Sequence, residues 1–555
     1  MNILLKIKNF LIIFFLFLST EISNANIFND KNERLKSSKY MTNYLYGTIL
    51  NKRNDFLNSQ KYLSGIEELK NKHELYNLQY VIAITINGDV NKAYKHILDL
   101  SPKLKSRFPY NLIIFAKLIK SKNYAEAQKI ISSHNNIDPL YDELIFSLKR
   151  WTILKSDIQS KLSHKSNSIQ IDLINNFLIS NYLGNQTDKS FYEAEILKIK
   201  SLHRYHAIIA MQKIKKGKYS IGKTILQNSF KDNNNSIFLK QLIVNLDLKQ
   251  KNKFLYYFKG KEFEDNLAEV LYLFSGFYFD RNETQVSQLL LALSNYLNPN
   301  FASNYLLAFE QDIKNNKDKI NFKVFNQIQN VGSEYKWYVN YQLVLNDLIE
   351  IGELEKVLNK KTKFLFSKYF DIANFYRYKK DYKKAIKYYL MAENLDKKES
   401  LSWDFYYYKG ICYERLDNWN LAEKNFLKSL KISSKQYRVI NYLAYSWLER
   451  KKNIPRAKKM LQQANELSNW KLGYIIDSLG WAYFLTNDYV EAERLLKIAY
   501  EKSPYEVEIY DHYGDVLWRL DKKLQARYVW KNALKLETID DKIRKKIEYK
   551  ITNGL

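Results

Sequence analysis

His203 and His206, in SLHRYHAII, stand three residues apart on text with helical periodicity, so both imidazoles could reach one metal ion. No third ligand follows at a workable spacing, and a pair of this kind is more often a product of packing. Cys412, in ICYERL, is the only cysteine. It directly precedes Tyr413 and reads as a helix packing residue rather than a nucleophile. The sequence holds no GxSxG elbow, no HExxH pair, no Walker-type loop and no GxGxxG. Paired carboxylates are plentiful, but in a chain with 26% charged residues they are ordinarily solvated. The expectation is therefore no catalytic residue, no metal and no cofactor, with an enzyme hidden in an unrecognised helical region as the alternative.

The elements that would carry any site are helices. Across 555 residues there are only 15 Gly and 6 Pro, while 46% of residues are hydrophobic and 15% aromatic. Such text is poor in turn punctuation and rich enough in apolar side chains to bury a sizeable core. The fold class expected is all-α.

The first residues read as an export signal. Lys6 and Lys8 precede an apolar run from Phe10 to Leu18, and Ser23-Asn24-Ala25 fits the small-x-small rule for cleavage after Ala25. The apolar run is well short of the roughly 20 residues a bilayer span needs, so an uncleaved anchor is the lesser alternative. A periplasmic location is expected, with no stable membrane span after cleavage.

The formal charge is +29. It is spread through Lys-, Asn- and Ile-rich text such as KSDIQSKLSHKSNSIQIDLINNFL, which is read as coding bias plus solvated helix faces and not as a nucleic-acid surface. A basic module binding anionic surfaces is the alternative this charge supports.

A repeat runs along the chain. Gly480 and Gly514 are 34 residues apart, as are Ala492 and Ala526. Gly410, Tyr413, Ala422 and Phe426 carry the same pattern upstream; so do Ala444, Trp447, Ala457 and Ala464, and before them Ala373, Tyr376, Ala385, Tyr389 and Ala392. Near the amino terminus Ser59, Ala93 and Ala127 again step by 34. The small residues mark a tight helix crossing, where a larger side chain would overpack by about 1–3 kcal/mol. Large apolar residues at helical spacing need neighbouring repeats to bury them, so stability comes largely from stacking.

This spacing resembles the tetratricopeptide repeat (TPR) family, whose unit is an antiparallel helix pair with small residues at positions 8, 20 and 27. The resemblance implies a TPR-type α-solenoid, a right-handed superhelix of stacked helix pairs. After the 1–25 signal peptide it divides the chain into a 26–140 amino-terminal array, a 141–360 degenerate TPR-like region, with a separate helical domain inserted between two arrays as the alternative, and a 361–555 carboxy-terminal array. In the family the first helix of each repeat lines a concave groove. With Gly480 and Gly514 at position 8, the resemblance puts Asp477, Trp481 and Phe484 in that groove from one repeat and Asp511, Asp515, Trp518 and Arg519 from the next. Arg438, Asn441 and Tyr445 come from the repeat before. The mixture suits an extended peptide or a partner helix. Trp481 and Trp518 either face that groove or pack between repeats.

From Asn441 to Leu536 the resemblance narrows. DSLGWAYF, then DHYGDVLWR, then ARYVWKNAL is similar to the end of a family of exported bacterial TPR proteins. Some members are outer-membrane lipoproteins acting as adaptors, which present cell-wall hydrolases to a carboxy-terminal processing protease. The resemblance implies a non-catalytic periplasmic scaffold or adaptor with such protein partners. The chain departs from the lipoprotein members in having no lipobox cysteine.

Overall fold

The structure, a computed structural model, describes residues 31–70, 72–102, 108–132, 138–156, 168–248, 260–315, 322–358, 362–395, 401–537 and 539–555. The expected signal peptide, 1–25, lies outside the described residues. These contain 29 α-helices, two short 3-10 turns and no strand. None of the described helices is long and apolar enough to cross a membrane. The chain divides into two compact units, Met1–Leu358 and Asn359–Leu555.

The second unit is a run of five helix pairs: repeat I (Leu365–Tyr378, Tyr382–Glu393), repeat II (Trp403–Arg415, Trp419–Ile432), repeat III (Tyr437–Glu449, Ile454–Leu467), repeat IV (Gly473–Leu485, Tyr489–Lys502) and repeat V (Val507–Arg519, Lys523–Ala533). A terminal helix, Asp541–Asn553, packs on repeat V. Each hairpin turns on a left-handed residue: Lys380, Asp417, Lys451, Asn487 and Asp521 all have φ between 53° and 62°, and the repeat III turn adds a second, Asn453, at 50°. Asn and Asp tolerate this conformation better than most side chains. In repeats I, II and IV the next residue caps the second helix: Asp381, Asn418 and Asp488 each accept a bond from a backbone N–H three residues on.

The crossing follows from side-chain size. Ala385, Ala422, Ala457, Ala492 and Ala526 are fully buried, as are Ala392, Ala464, Ala499 and Ala533. Opposite them, a Cβ added to Gly410 would stand 2.7 Å from Phe426 Cε1, and one added to Gly480 would stand 2.7 Å from Leu496 Cγ. Small residues on the first helix thus seat a large one from the second. The core this creates runs through consecutive repeats, with Trp447, Leu461, Leu479 and Leu495 in one cluster. The architecture is the expected all-α, TPR-type solenoid.

The first unit is built from the same kind of pair. Lys31–Lys52 packs with Phe56–Ser64, Glu74–Ile86 with Val90–Leu98, and Tyr110–Lys120 with Tyr124–Ser132. Helix pairs continue through the middle, as in His203–Lys215 with Tyr219–Asp232. One middle pair, Phe263–Asp280 and Thr284–Leu297, folds back onto the amino-terminal helices, packing on Glu74–Ile86, Tyr110–Lys120 and Pro139–Ser156. Gln285 Nε2 donates to Asn51 O at 2.9 Å, and Lys120 Nζ donates to Leu297 O at 2.9 Å. The face that first helices offer in a repeat array is covered here by the chain itself.

Candidate partner-binding groove

In the second unit a groove pocket of about 570 Å³ opens across repeats II to V. Glu414 and Arg415 come from repeat II; Asn441, Tyr442, Tyr445, Ser446, Glu449 and Arg450 from repeat III; Tyr474, Asp477 and Ser478 from repeat IV; and Glu506, Glu508 and Ile509 from the start of repeat V. First helices supply nearly all of it, because the second helices are spent on the crossing.

Three of the groove residues expected from the sequence converge on this pocket: Asn441, Tyr445 and Asp477. Burial, then the neighbouring charges of Glu449, Asp477 and Glu508, pushes the Tyr445 phenol well above its ordinary range. It stays neutral and able to donate. Asp477 is buried and faces His512, whose Nδ1 lies 3.0 Å from Oδ1 and 3.1 Å from Oδ2. Burial alone would push the His512 imidazole down, but the Asp477 carboxylate, with Asp511 and Asp515 nearby, outweighs it and holds the pKa above the usual value.

The other expected residues lie elsewhere. Arg438 is exposed beside the Tyr437 ring. Trp481 is half-buried and sandwiched, stacking on His512 at 4.1 Å and on Phe484 at 4.6 Å, while its Nε1 donates to Glu449 Oε1 at 3.2 Å. Phe484 also meets Tyr489 edge-on. These rings fill the joint between repeats IV and V. Asp511 and Asp515 are buried against the terminal helix: Lys550 Nζ donates to Asp511 Oδ1 at 2.5 Å and to Asp515 Oδ1 and Oδ2 at 2.5 and 2.7 Å. Lys546 Nζ adds a bond to Asp511 Oδ2 at 2.8 Å. Trp518 packs on Trp530 and against Gly554, and Arg519 is exposed.

The sequence reading did not single out Tyr442, Ser446, Glu449, Glu506 or Glu508. Tyr442, Ser446 and Glu449 follow helical spacing beside Asn441 and Tyr445, a signal that a wider stripe would have caught. Glu506 and Glu508 sit at the mouth of the following repeat, where only stacking brings them over the groove.

The residues with possible chemistry are used for packing. His206 Nε2 lies 2.9 Å from Ile196 O inside the first unit. Burial pushes the Cys412 thiol up to about 12. Among the described residues no three His, Cys, Asp or Glu side chains are placed to hold a metal.

No protein-family model matches the chain, and no curated protein matches it. Among solved structures, TTC0263, a thermophilic TPR protein of Thermus thermophilus, is 16% identical, with 33% of this chain and 97% of that one covered and a TM-score of 0.29. MamA from Desulfovibrio magneticus RS-1 is 18% identical over 33% and 99% of the two chains, with a TM-score of 0.28. PilF of Pseudomonas aeruginosa is 14% identical over 34% and 85%, with a TM-score of 0.29. At these values the assignment rests on the helix-pair geometry itself. The chain is a TPR-type solenoid.

Proposed function

We propose that this protein is a non-catalytic scaffold of the bacterial envelope, exported to the periplasm, whose carboxy-terminal groove grips a segment of a partner protein. The observation that carries the reading is the contrast between the two units. The first covers its own first-helix face with the Phe263–Asp280 and Thr284–Leu297 pair, whereas the second leaves a polar, aromatic-walled pocket open across four repeats. Pockets of this size with convergent polar groups are the usual form of a recognition site. Lys6, Lys8 and the apolar run after them support export. The likeness of DSLGWAYF and DHYGDVLWR to exported adaptors makes a processing protease or a cell-wall hydrolase the first partner to look for.

A photo-crosslinking amino acid placed at Tyr442 or at the rim residue Tyr474, with exposed Val490 and Leu524 as second-helix controls, tests the reading in cells expressing the natively exported chain. A discrete partner joined from the groove positions and not from the controls is the expected result; a protease or hydrolase among the products supports the adaptor role. Equal labelling from both sets, or none from the groove, overturns the groove as the partner site.

A further inference from the structure

Position 5 of three consecutive first helices is Asn441 in repeat III, Asp477 in repeat IV and Asp511 in repeat V. Twice the next helix answers with a cationic donor. Asp477 receives His512, and Asp511 receives Lys550 and Lys546 from the terminal helix. Asn441 is not answered. One repeat on, where His512 stands relative to Asp477, the residue is Ser478, and its hydroxyl donates to Tyr474 O of its own helix at 3.0 Å. Asn441 Oδ1 therefore has no hydrogen-bond partner among the described residues, although the side chain is only 9% exposed and forms part of the pocket wall. A buried acceptor left unpaired keeps the desolvation penalty with nothing to offset it, so the site favours a donor brought in from outside.

The charges around it decide which donor. Glu414, Glu449, Asp477, Glu506 and Glu508 line the pocket against only Arg415 and Arg450. Glu414 is held by Arg450 at 3.2 Å and lies 3.6 Å from Arg415, and Asp477 is held by His512. Glu449, Glu506 and Glu508 are exposed, and none of them forms an ion pair among the described residues. Tyr442, Tyr445 and Tyr474 add aromatic faces of the kind that hold a guanidinium or ammonium group. On a chain of net charge +29 the pocket is a local reversal of sign.

We infer, resting on the reading of this groove as the partner site, that it takes an arginine or lysine side chain from an extended segment of the partner protein. The cation donates to the Asn441 amide, takes the place that His512 fills one repeat on, and is held by Glu449, Glu506 and Glu508.

Fluorescence anisotropy on the purified full chain at physiological ionic strength tests this, using short labelled peptides of one Gly/Ser/Tyr background that carry arginines, lysines, glutamates or no charge. The arginine and lysine peptides are expected to bind about tenfold tighter than the neutral one. Glu506→Gln with Glu508→Gln, at exposed positions, removes that preference, and Asn441→Leu weakens the same peptides. If Asn441→Leu alters thermal unfolding, the glutamate pair alone decides. Groove-dependent binding of the neutral or glutamate peptide as tight as that of the arginine peptide overturns the cationic assignment and leaves the groove reading standing. No binding, or binding indifferent to every groove substitution, overturns both.

Discussion

His512 in repeat V sits against the Asp477 carboxylate of repeat IV, its Nδ1 3.0 and 3.1 Å from the two oxygens, with Trp481 stacked on the ring at 4.1 Å. A residue pair 35 positions apart thus joins neighbouring first helices at the floor of the solenoid. Since the sheltering ring covers the imidazole, the pair behaves as a buried ionic joint.

That joint sets a pH dependence. His512 binds its proton more tightly folded than unfolded, so its contribution is full below about pH 6.5 and is lost as pH rises through the raised folded value. Asp515, with burial and then Asp511 pushing its carboxyl up to about 6, works in the same direction at lower pH. Amide hydrogen-exchange protection in repeats IV and V should fall as pH rises above about 6.5 once intrinsic rates are removed. Asp477→Asn should flatten the part of the decline above about pH 6.5. An unchanged slope in that variant would place its source elsewhere.

Lys550 is 6% exposed and bridges two carboxylates that are 7% and 5% exposed. Lys550→Met leaves Asp511 with Lys546 alone and strands the buried Asp515 carboxylate beside it. The expected loss is about 3–5 kcal/mol of local stability, read from the same exchange protection in repeat V. Adding Asp511→Asn and Asp515→Asn should recover most of it, and failure to recover would mean that the terminal helix is held by packing alone.

Two glycines should respond with opposite signs. A Cβ at Gly514 runs into the Trp530 indole, so Gly514→Ala is expected to cost about 1–3 kcal/mol. Gly276, in the Phe263–Asp280 helix, has nothing within 4 Å of an added Cβ. Gly276→Ala should stabilise by about 0.5–1 kcal/mol through unfolded-state entropy and helix propensity. Urea unfolding of the two variants beside the parent chain checks both signs.

In the first unit Arg204 makes a bidentate pair with fully buried Glu269, Nε to Oε1 and Nη2 to Oε2 at 2.7 Å each, and its Nη1 donates to Ser303 Oγ at 2.8 Å. The guanidinium lies over Tyr272 at 4.7 Å. Arg204→Met strands the carboxylate and should destabilise this unit by about 3–5 kcal/mol, with Glu269→Gln in the same chain restoring part of the loss. Thermal unfolding followed by circular dichroism distinguishes the two variants.

Cys412 is fully buried and its thiol is pushed up to about 12. A thiol-specific chromogenic reagent at about pH 8 should leave the native chain unmodified and react once denaturant is added. Rapid labelling of the native chain would return Cys412 to the list of reactive groups.

The repeat was legible because its determinants are local and periodic. Gly480 and Ala492, Gly514 and Ala526 are small for a reason that recurs every 34 residues, and each turn needs a residue such as Asn487 that tolerates a left-handed backbone. Asn441, Tyr445 and Asp477 could be placed on the first-helix face by counting from those small residues.

Sequence by itself therefore determined the helix pairs, their crossing points and the face that lines the groove, since all three follow from side-chain size and spacing within one unit. Tertiary structure alone decided which of those faces is open. Asp511 and Asp515 look like groove residues until Lys550 arrives from 35 to 39 positions away, and Trp481 looks like a gripping ring until His512 stacks on it. A polar residue on a first helix binds a partner or a neighbouring repeat according to what the next helix presents, and that is set by stacking between units that no single repeat encodes.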